Sequence, residues 1–213
     1  MSYPINYPTP QGANVQIFNT GNLDVNPALS FDWVKPQGAS FVWFTLIGAG
    51  GNGQGATGGG SGAVTNFMCP AFLIPDVLRI SFNANDNSQV LYQTKNNTYV
   101  LLTANWGSSS TGGAAMTANY FTAMGFFQSI AGQNGATGAV SASATTFLSG
   151  GGSTAGITAN YGYTVGNSAG LFQMQPIIVG VGGAGANRGG IGCGGGTTLA
   201  APGGGPLAVI ITW

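Results

Sequence analysis

The sequence predicts a mainly-β protein: an antiparallel β-sandwich with packed polyglycine-II segments and little or no helix. Three observations predict it. Glycine recurs at every third position in several runs, apolar segments rich in β-branched and aromatic residues flank those runs, and turn residues punctuate the rest. One series reads Gly50, Gly53, Ala56, Gly59, Gly62, a second Gly132, Gly135, Gly138, and a third Gly180, Gly183, Ala186, Gly189, Gly192, Gly195. A polyproline-II helix has three residues per turn, so every third residue falls on one face. A face bearing only hydrogen or methyl lets extended chains approach until their backbones hydrogen-bond to one another. Collagen follows the same steric logic but needs a strict Gly-X-Y repeat rich in proline, whereas these runs are short, interrupted and nearly proline-free. Flexible Gly/Ser linkers are the competing reading. Against it, glycine loses more freedom on ordering than any other residue, and the runs adjoin the apolar segments 40–47 and 206–213 directly.

Taken in order, residues 1–14 carry Pro4, Pro8 and Pro10 and read as an extended N-terminal arm, with Tyr3, Ile5 and Tyr7 as its assembly contacts. Residues 15–213 form a single glycine-rich β-sandwich domain. Residues 15–19 alternate well enough for a first strand and 30–34 for a second, before Lys35-Pro-Gln-Gly38 turns the chain with proline at its second position. Residues 40–47 are a continuous apolar run, the pattern of a strand buried on both faces. A strand resumes over 63–68, and the 70–75 stretch bends between prolines. Segments 77–82, 90–93 and 98–103, joined by turn clusters at 83–88 and 95–97, read as an antiparallel meander. The Ala-, Thr-, Ser- and Phe-rich stretch 114–149 is the one place for a short helix, around 115–130. Low complexity then runs from 150 to 205, broken by the apolar segment 171–179, and the chain closes on a strand ending in Trp213.

Composition narrows the function. The chain is 44% hydrophobic and 4% charged, with four Lys+Arg, four acidic residues (all Asp) and no His. Disordered chains are poor in apolar residues and rich in charge, so this one folds. A net charge of zero gives a free monomer little colloidal protection, which favours life in a larger assembly or a surface of neutral polar groups. Lys35, Arg79, Lys95 and Arg188 are scattered, against nucleic-acid binding. The first residues lack the basic start and apolar core of a signal peptide, and no window reaches the roughly 18 apolar residues that span a bilayer. Cys69 and Cys193 fit buried thiols in a chain made in a reducing cytoplasm, with a disulfide between them left open.

Catalysis is disfavoured, and the expectation is that the chain is not an enzyme and carries no cofactor. Without histidine there is no base poised near neutrality and no imidazole ligand. Asp32 and Asp76 could meet in space, but solvated or hydrogen-bonded turn roles suit the aspartates better. Gly48-Ala-Gly-Gly51 follows a strand yet lacks the helix and the acid some 20 residues on that dinucleotide binding requires. Asn83-Ala-Asn-Asp-Asn-Ser88 has one carboxylate where a calcium loop needs several oxygens. The sequon Asn96-Asn-Thr98 needs a secretory route to be used.

What remains is recognition without charge. Trp106, Tyr120, Phe121, Phe126, Phe127, Tyr161, Tyr163 and Phe172 are interleaved with Asn, Ser and Thr, a pattern that suits neutral glycans or protein surfaces. Filling a core or subunit interface is the competing role for most of them.

Phe31-Asp-Trp33, Lys35-Pro-Gln-Gly38, the apolar strand 41–47 and Gly48-Ala-Gly-Gly51, together with Ser61-Gly-Ala-Val-Thr and the stretch 70–78, resemble the glycine-rich domains of bacteriophage tail-fibre and adhesin proteins. The ending Gly203-Gly-Gly-Pro-Leu-Ala-Val-Ile-Ile-Thr-Trp213 is similar to theirs as well. The resemblance spans about residues 29–213. It implies a virion structural protein, a β-sandwich with polyglycine-II segments, and loops that touch the host surface. It also implies other virion proteins as partners and a homo-oligomer, with a trimer suited to fibre tips and vertex spikes. Two differences, a short chain without a fibre shaft and glycine runs eroded between Asn83 and Phe147, favour a small capsid, vertex or tail-associated component over a fibre tip. The alternatives are an adhesin that reads glycans with loops 106–127 and 150–172, and a polyglycine-II ice-binding protein. The latter requires regular Thr or Ala ladders that this sequence lacks.

Overall fold

The structure, a computed structural model, describes residues 14–20, 29–55, 57–83, 87–135, 189, 191–196 and 203–213. Alternating apolar residues give nine strands there: β1 (Asn14–Asn19), β2 (Leu29–Val34), β3 (Phe41–Ile47), β4 (Val64–Pro70), β5 (Val77–Phe82), β6 (Ser88–Gln93), β7 (Thr98–Ala104), β8 (Phe126–Ile130) and β9 (Leu207–Thr212). They form a five-stranded sheet in the order β1-β9-β3-β4-β8 and a four-stranded sheet in the order β2-β5-β6-β7, with every pair antiparallel. The expected meander is β5-β6-β7. The N-terminal arm residues Tyr3, Ile5 and Tyr7, the glycine run from Gly180 as far as Arg188, and the apolar segment 171–179 lie outside the described residues.

The core lies between the sheets. Val42, Phe44 and Leu46 alternate inward from β3, beside Phe67 and Cys69 of β4 and Ala208 and Ile210 of β9. Trp33, Leu78, Ile80, Phe82, Val90 and Leu102 face them from the other sheet. Trp33 meets the Phe44 ring edge-on at 5.8 Å and 71°, a preferred aromatic geometry. Each such side chain contributes about 1.5–3 kcal/mol on burial. β3 sits in the middle of its sheet and is buried on both faces as its apolar run predicts: Ile47 turns outward, yet it is buried with Val64, Leu207 and Val209. Buried hydroxyls tie the layers together, Ser88 Oγ donating to the Leu207 carbonyl at 3.0 Å and Thr65 Oγ1 to that of Thr103 at 2.7 Å.

The helix expected around 115–130 does not form. One 3-10 turn, Thr122–Met124, interrupts that stretch, and β8 follows it. The extended backbone of Gly125 stops the turn (φ −157°). β8 then pairs with β4, placing Phe127 opposite Phe67 and bringing the Ser129 and Thr65 hydroxyls within 2.8 Å. Pairing against a formed edge outweighs the weak helical preference of a Thr- and Phe-containing segment.

Beyond the sheet ends, the glycine-rich segments pack backbone to backbone. Segment 58–63 is central, and its peptide N–H groups turn to different neighbours in rotation. Gly59 donates to Gly195 and Gly62 to Gly192, both at 2.8 Å; Gly60 donates to Ser108 and Ala63 to Asn105, at 3.0 and 2.8 Å; Ser61 donates to Gln133 at 2.8 Å. Each step of three residues forward reaches a partner three residues back, the signature of antiparallel helices with three residues per turn. Gly48 and Gly51 repeat the pattern onto Ala63 and Gly60. A Cβ on Gly50 would collide with the Cys193 carbonyl, and one on Gly59 with that of Gly51. The period-three glycine spacing is therefore a packing requirement, and these segments are ordered polyglycine-II helices rather than linkers.

Neither cysteine forms a disulfide; both thiols are buried, Cys69 on the inner face of β4 and Cys193 among the glycine segments. Burial pushes the Cys69 thiol up to about 11 from its ordinary value of 9.0, against the smaller opposing pull of the Lys35 ammonium. The fold thus favours the neutral thiol, and its contribution is complete below pH 9 and lost as pH rises towards 11. Between those values, wild type should lose roughly 1.4 kcal/mol per pH unit relative to Cys69→Ala, read as the difference between their urea unfolding free energies. A second expectation concerns glycine. Gly59→Ala should cost about 3 kcal/mol or more because backbone must move. Gly38→Ala, where φ is +80° with open space around it, should cost roughly 1–2 kcal/mol. Equal losses in urea denaturation would refute close packing at Gly59.

Candidate functional site

The aromatics singled out by sequence divide into two sets. Phe121 is buried against Phe67, with ring centroids 4.7 Å apart, and Phe127 packs on the same core; both are structural. Trp106, Tyr120 and Phe126 are exposed. Tyr161, Tyr163 and Phe172 lie outside the described residues.

The exposed three do not form one platform. β4 runs from Val64, beside the glycine segments, to Pro70 at the far end, and β8 lies antiparallel with Phe126 opposite Met68. Trp106 follows β7 into the glycine segments, its backbone N–H donating to Asn87 Oδ1 at 2.8 Å. Tyr120 and Phe126 therefore stand at the opposite end of the sandwich. Tyr120 is held there by a reciprocal turn in which Asn119 N–H donates to Thr122 Oγ1 at 2.8 Å and Thr122 N–H to Asn119 Oδ1 at 3.0 Å. That turn sends Phe121 inward and leaves Tyr120 97% exposed. The same end carries Phe72, 82% exposed, on the 3-10 turn Ala71–Leu73 that follows β4. Sequence reasoning missed Phe72 because an isolated aromatic between two prolines carries no periodic signal. Phe41, stacked on Trp213 at 5.8 Å, completes an apolar rim.

Charge gathers near this end as well, partly under the 71–76 bend and partly on the outer side of the β2-β5-β6-β7 sheet. Lys35 places its three ammonium hydrogens on three oxygens: the Ala71 and Ile74 carbonyls at 3.0 and 2.9 Å and Asp76 Oδ1 at 2.9 Å. Arg79 Nε donates to Asp32 Oδ1 at 3.0 Å. Asp32 and Asp76 do converge, lining one groove of about 430 Å³ together with Arg79 and Gln93. Each carboxylate is paired with its own cation, Asp32 with Arg79 and Asp76 with Lys35. Asn83, of the calcium-like loop, instead accepts the Asn87 N–H on its side chain at 3.2 Å. Among the described residues no cluster of three or more His, Cys, Asp or Glu side chains could hold a metal ion.

Lys35 is the structural hinge of this end. Its side chain is 16% exposed, and Lys35→Met would strand two loop carbonyls, so the loss should be about 2–3 kcal/mol. Asp76 is 85% exposed, and Asp76→Asn should cost less than about 1 kcal/mol. Thermal or urea unfolding of both variants checks the order, and a reversed order would show that the ion pair, not the carbonyl clasp, holds the loop.

No protein-family model matches the chain, and no curated protein matches it in sequence.

Proposed function

We propose that this chain is a virion structural protein, a phage tail, fibre or capsid-vertex component at an exposed position, where it contributes to host-surface attachment. The observation that carries the reading is the antiparallel bundle of glycine segments, hydrogen-bonded at three-residue spacing and continuous with the strands of a sandwich. It is the construction implied by the resemblance to glycine-rich tail-fibre and adhesin domains. Backbone-to-backbone packing yields a stiff, uncharged body, suited to presenting loops outside the cell where salt and pH vary. The aromatic rim at Phe41, Phe72 and Tyr120 supplies rigid apolar anchors of the kind that concentrate binding energy at interfaces. Neighbouring virion proteins and further copies of the chain are the partners this role requires.

Gold-labelled antibody against the recombinant chain, applied to purified particles, should mark tail tips or vertices in electron micrographs. The purified chain should also compete with those particles for adsorption to host cells, and the double variant Phe72→Ala, Tyr120→Ala should compete at least tenfold less well. Absence of label from every particle would sink the viral reading. Label without competition would leave a purely architectural role.

A further inference from the structure

We propose that the cleft where β5 and β6 part binds a neutral saccharide. The inference takes its biological sense from the attachment reading above, but it names a site separate from the exposed aromatics.

The cleft is built by a break in pairing. β5 and β6 are paired from Phe82–Ser88 to Arg79–Leu91 and no further. β6 goes on pairing with β7 down to Gln93–Thr98, and β5 with β2 down to Val77–Val34. On the other side of β6 the register shifts between Val90 and Leu91, with Leu101 of β7 as the extra residue; such irregularities bend the bulged strand and often lie beside binding sites. Below Arg79 the two strands separate, and the groove opens between them. Lys35 N–H donates to the Asp76 carbonyl at 2.7 Å, so that peptide faces β2. By antiparallel alternation, the N–H and C=O of Val77 turn to the side that β6 has left.

The chemistry around the opening selects the ligand. Three of the chain's eight charged side chains, Asp32, Asp76 and Arg79, line the opening, and Lys35 reaches Asp76 from behind it. They are paired one to one, so their charges cancel and neither a phosphate nor a cation gains from their summed field. Each carboxylate uses Oδ1 in its ion pair and, at 61% and 85% side-chain exposure, keeps acceptor capacity for hydroxyl hydrogens. Arg79 binds Asp32 through Nε and brings further N–H donors in a fixed fork. Gln93 and the Val77 peptide each add a donor and an acceptor. A sugar hydroxyl donates and accepts at once, so adjacent hydroxyls match this alternation where a hydrocarbon or a simple ion does not. The Pro75 ring, and the edge of Tyr92 left over from its packing on the core and its stacking on Tyr99 at 6.4 Å and 22°, give the C–H face of a sugar an apolar surface. A volume of about 430 Å³ falls at the small-molecule end of ligand pockets, roughly 300–1,000 Å³, and suits a short sugar rather than a macromolecule.

The test is an amide-shift titration of the uniformly 15N-labelled full chain with glucose, galactose, mannose and N-acetylglucosamine, each taken to roughly 50 mM to cover millimolar affinity. At least one sugar should shift residues 76–79 and 91–93 saturably. Gln93→Ala, which leaves both ion pairs in place, and Asp32→Asn should each weaken binding about tenfold without disturbing the spectrum elsewhere. Saturable shifts confined to residues 106–127 would overturn the groove and leave attachment standing. No saturable shift with any of the four sugars, or an equal response to inorganic phosphate, would overturn the assignment of a neutral sugar. Particles that carry no label would defeat the virion reading and leave saccharide binding intact.

Discussion

Peptide groups hydrogen-bonded across glycine faces are the constraint on which the rest of this protein depends. β3 runs into the segment that donates from Gly48, Gly50 and Gly51, and segment 58–63 returns into β4. β7 and β8 feed 105–113 and 131–135, and 203–205 feeds β9. Strands from both layers, β7 from one sheet and β3, β4, β8 and β9 from the other, thus become rods that touch on several sides once their side chains disappear. The sandwich buries apolar area and fixes the rods in register, while the rods satisfy peptide groups that a loop of this length would otherwise leave to water. Each such bond contributes only about 0.5–1.5 kcal/mol net, so the bundle stands on being complete rather than on any single contact.

Much of this was legible in the sequence, and the exceptions have physical causes. Glycine every third residue has one steric meaning, and apolar runs such as 41–47 have few others, so the strands and the packed segments could be read directly. β8 could not. Phe126–Ile130 sits in an Ala- and Thr-rich stretch with no alternation long enough to separate strand from helix, and only the waiting edge of β4 decides the matter. The site was less legible still. Asp32 and Asp76 lie in one groove because β2 and β5 are neighbours, and a pairing register is invisible in composition. Aromatic spacing likewise could not tell Tyr120 from Phe121, adjacent residues that a single Asn119–Thr122 turn sends to opposite sides.

The economy of charge has its own logic. Among the described residues two ion pairs are formed: Arg79–Asp32 joins neighbouring strands on the outer face, and Lys35–Asp76 sits where a bend needs anchoring. Lys35 acts less as a charge than as a three-pronged donor that gathers the Ala71 and Ile74 carbonyls, with Asp76 as the exposed third point. Because that clasp fixes the bend between β4 and β5, it also sets the lower rim of the groove and the base on which Phe72 stands.

β9 lies between β1 and β3, pairing Val209 with Ile17 on one side and Thr45 on the other. On a ribosome, both of those strands emerge long before the one that joins them. Until residues 207–212 arrive, two apolar edges stand bare, and closing so long a loop is slow. Any second nascent chain nearby carries the same missing strand. Dense synthesis of many copies therefore poses a sorting problem, in which each chain must wait for its own β9 instead of borrowing a neighbour's.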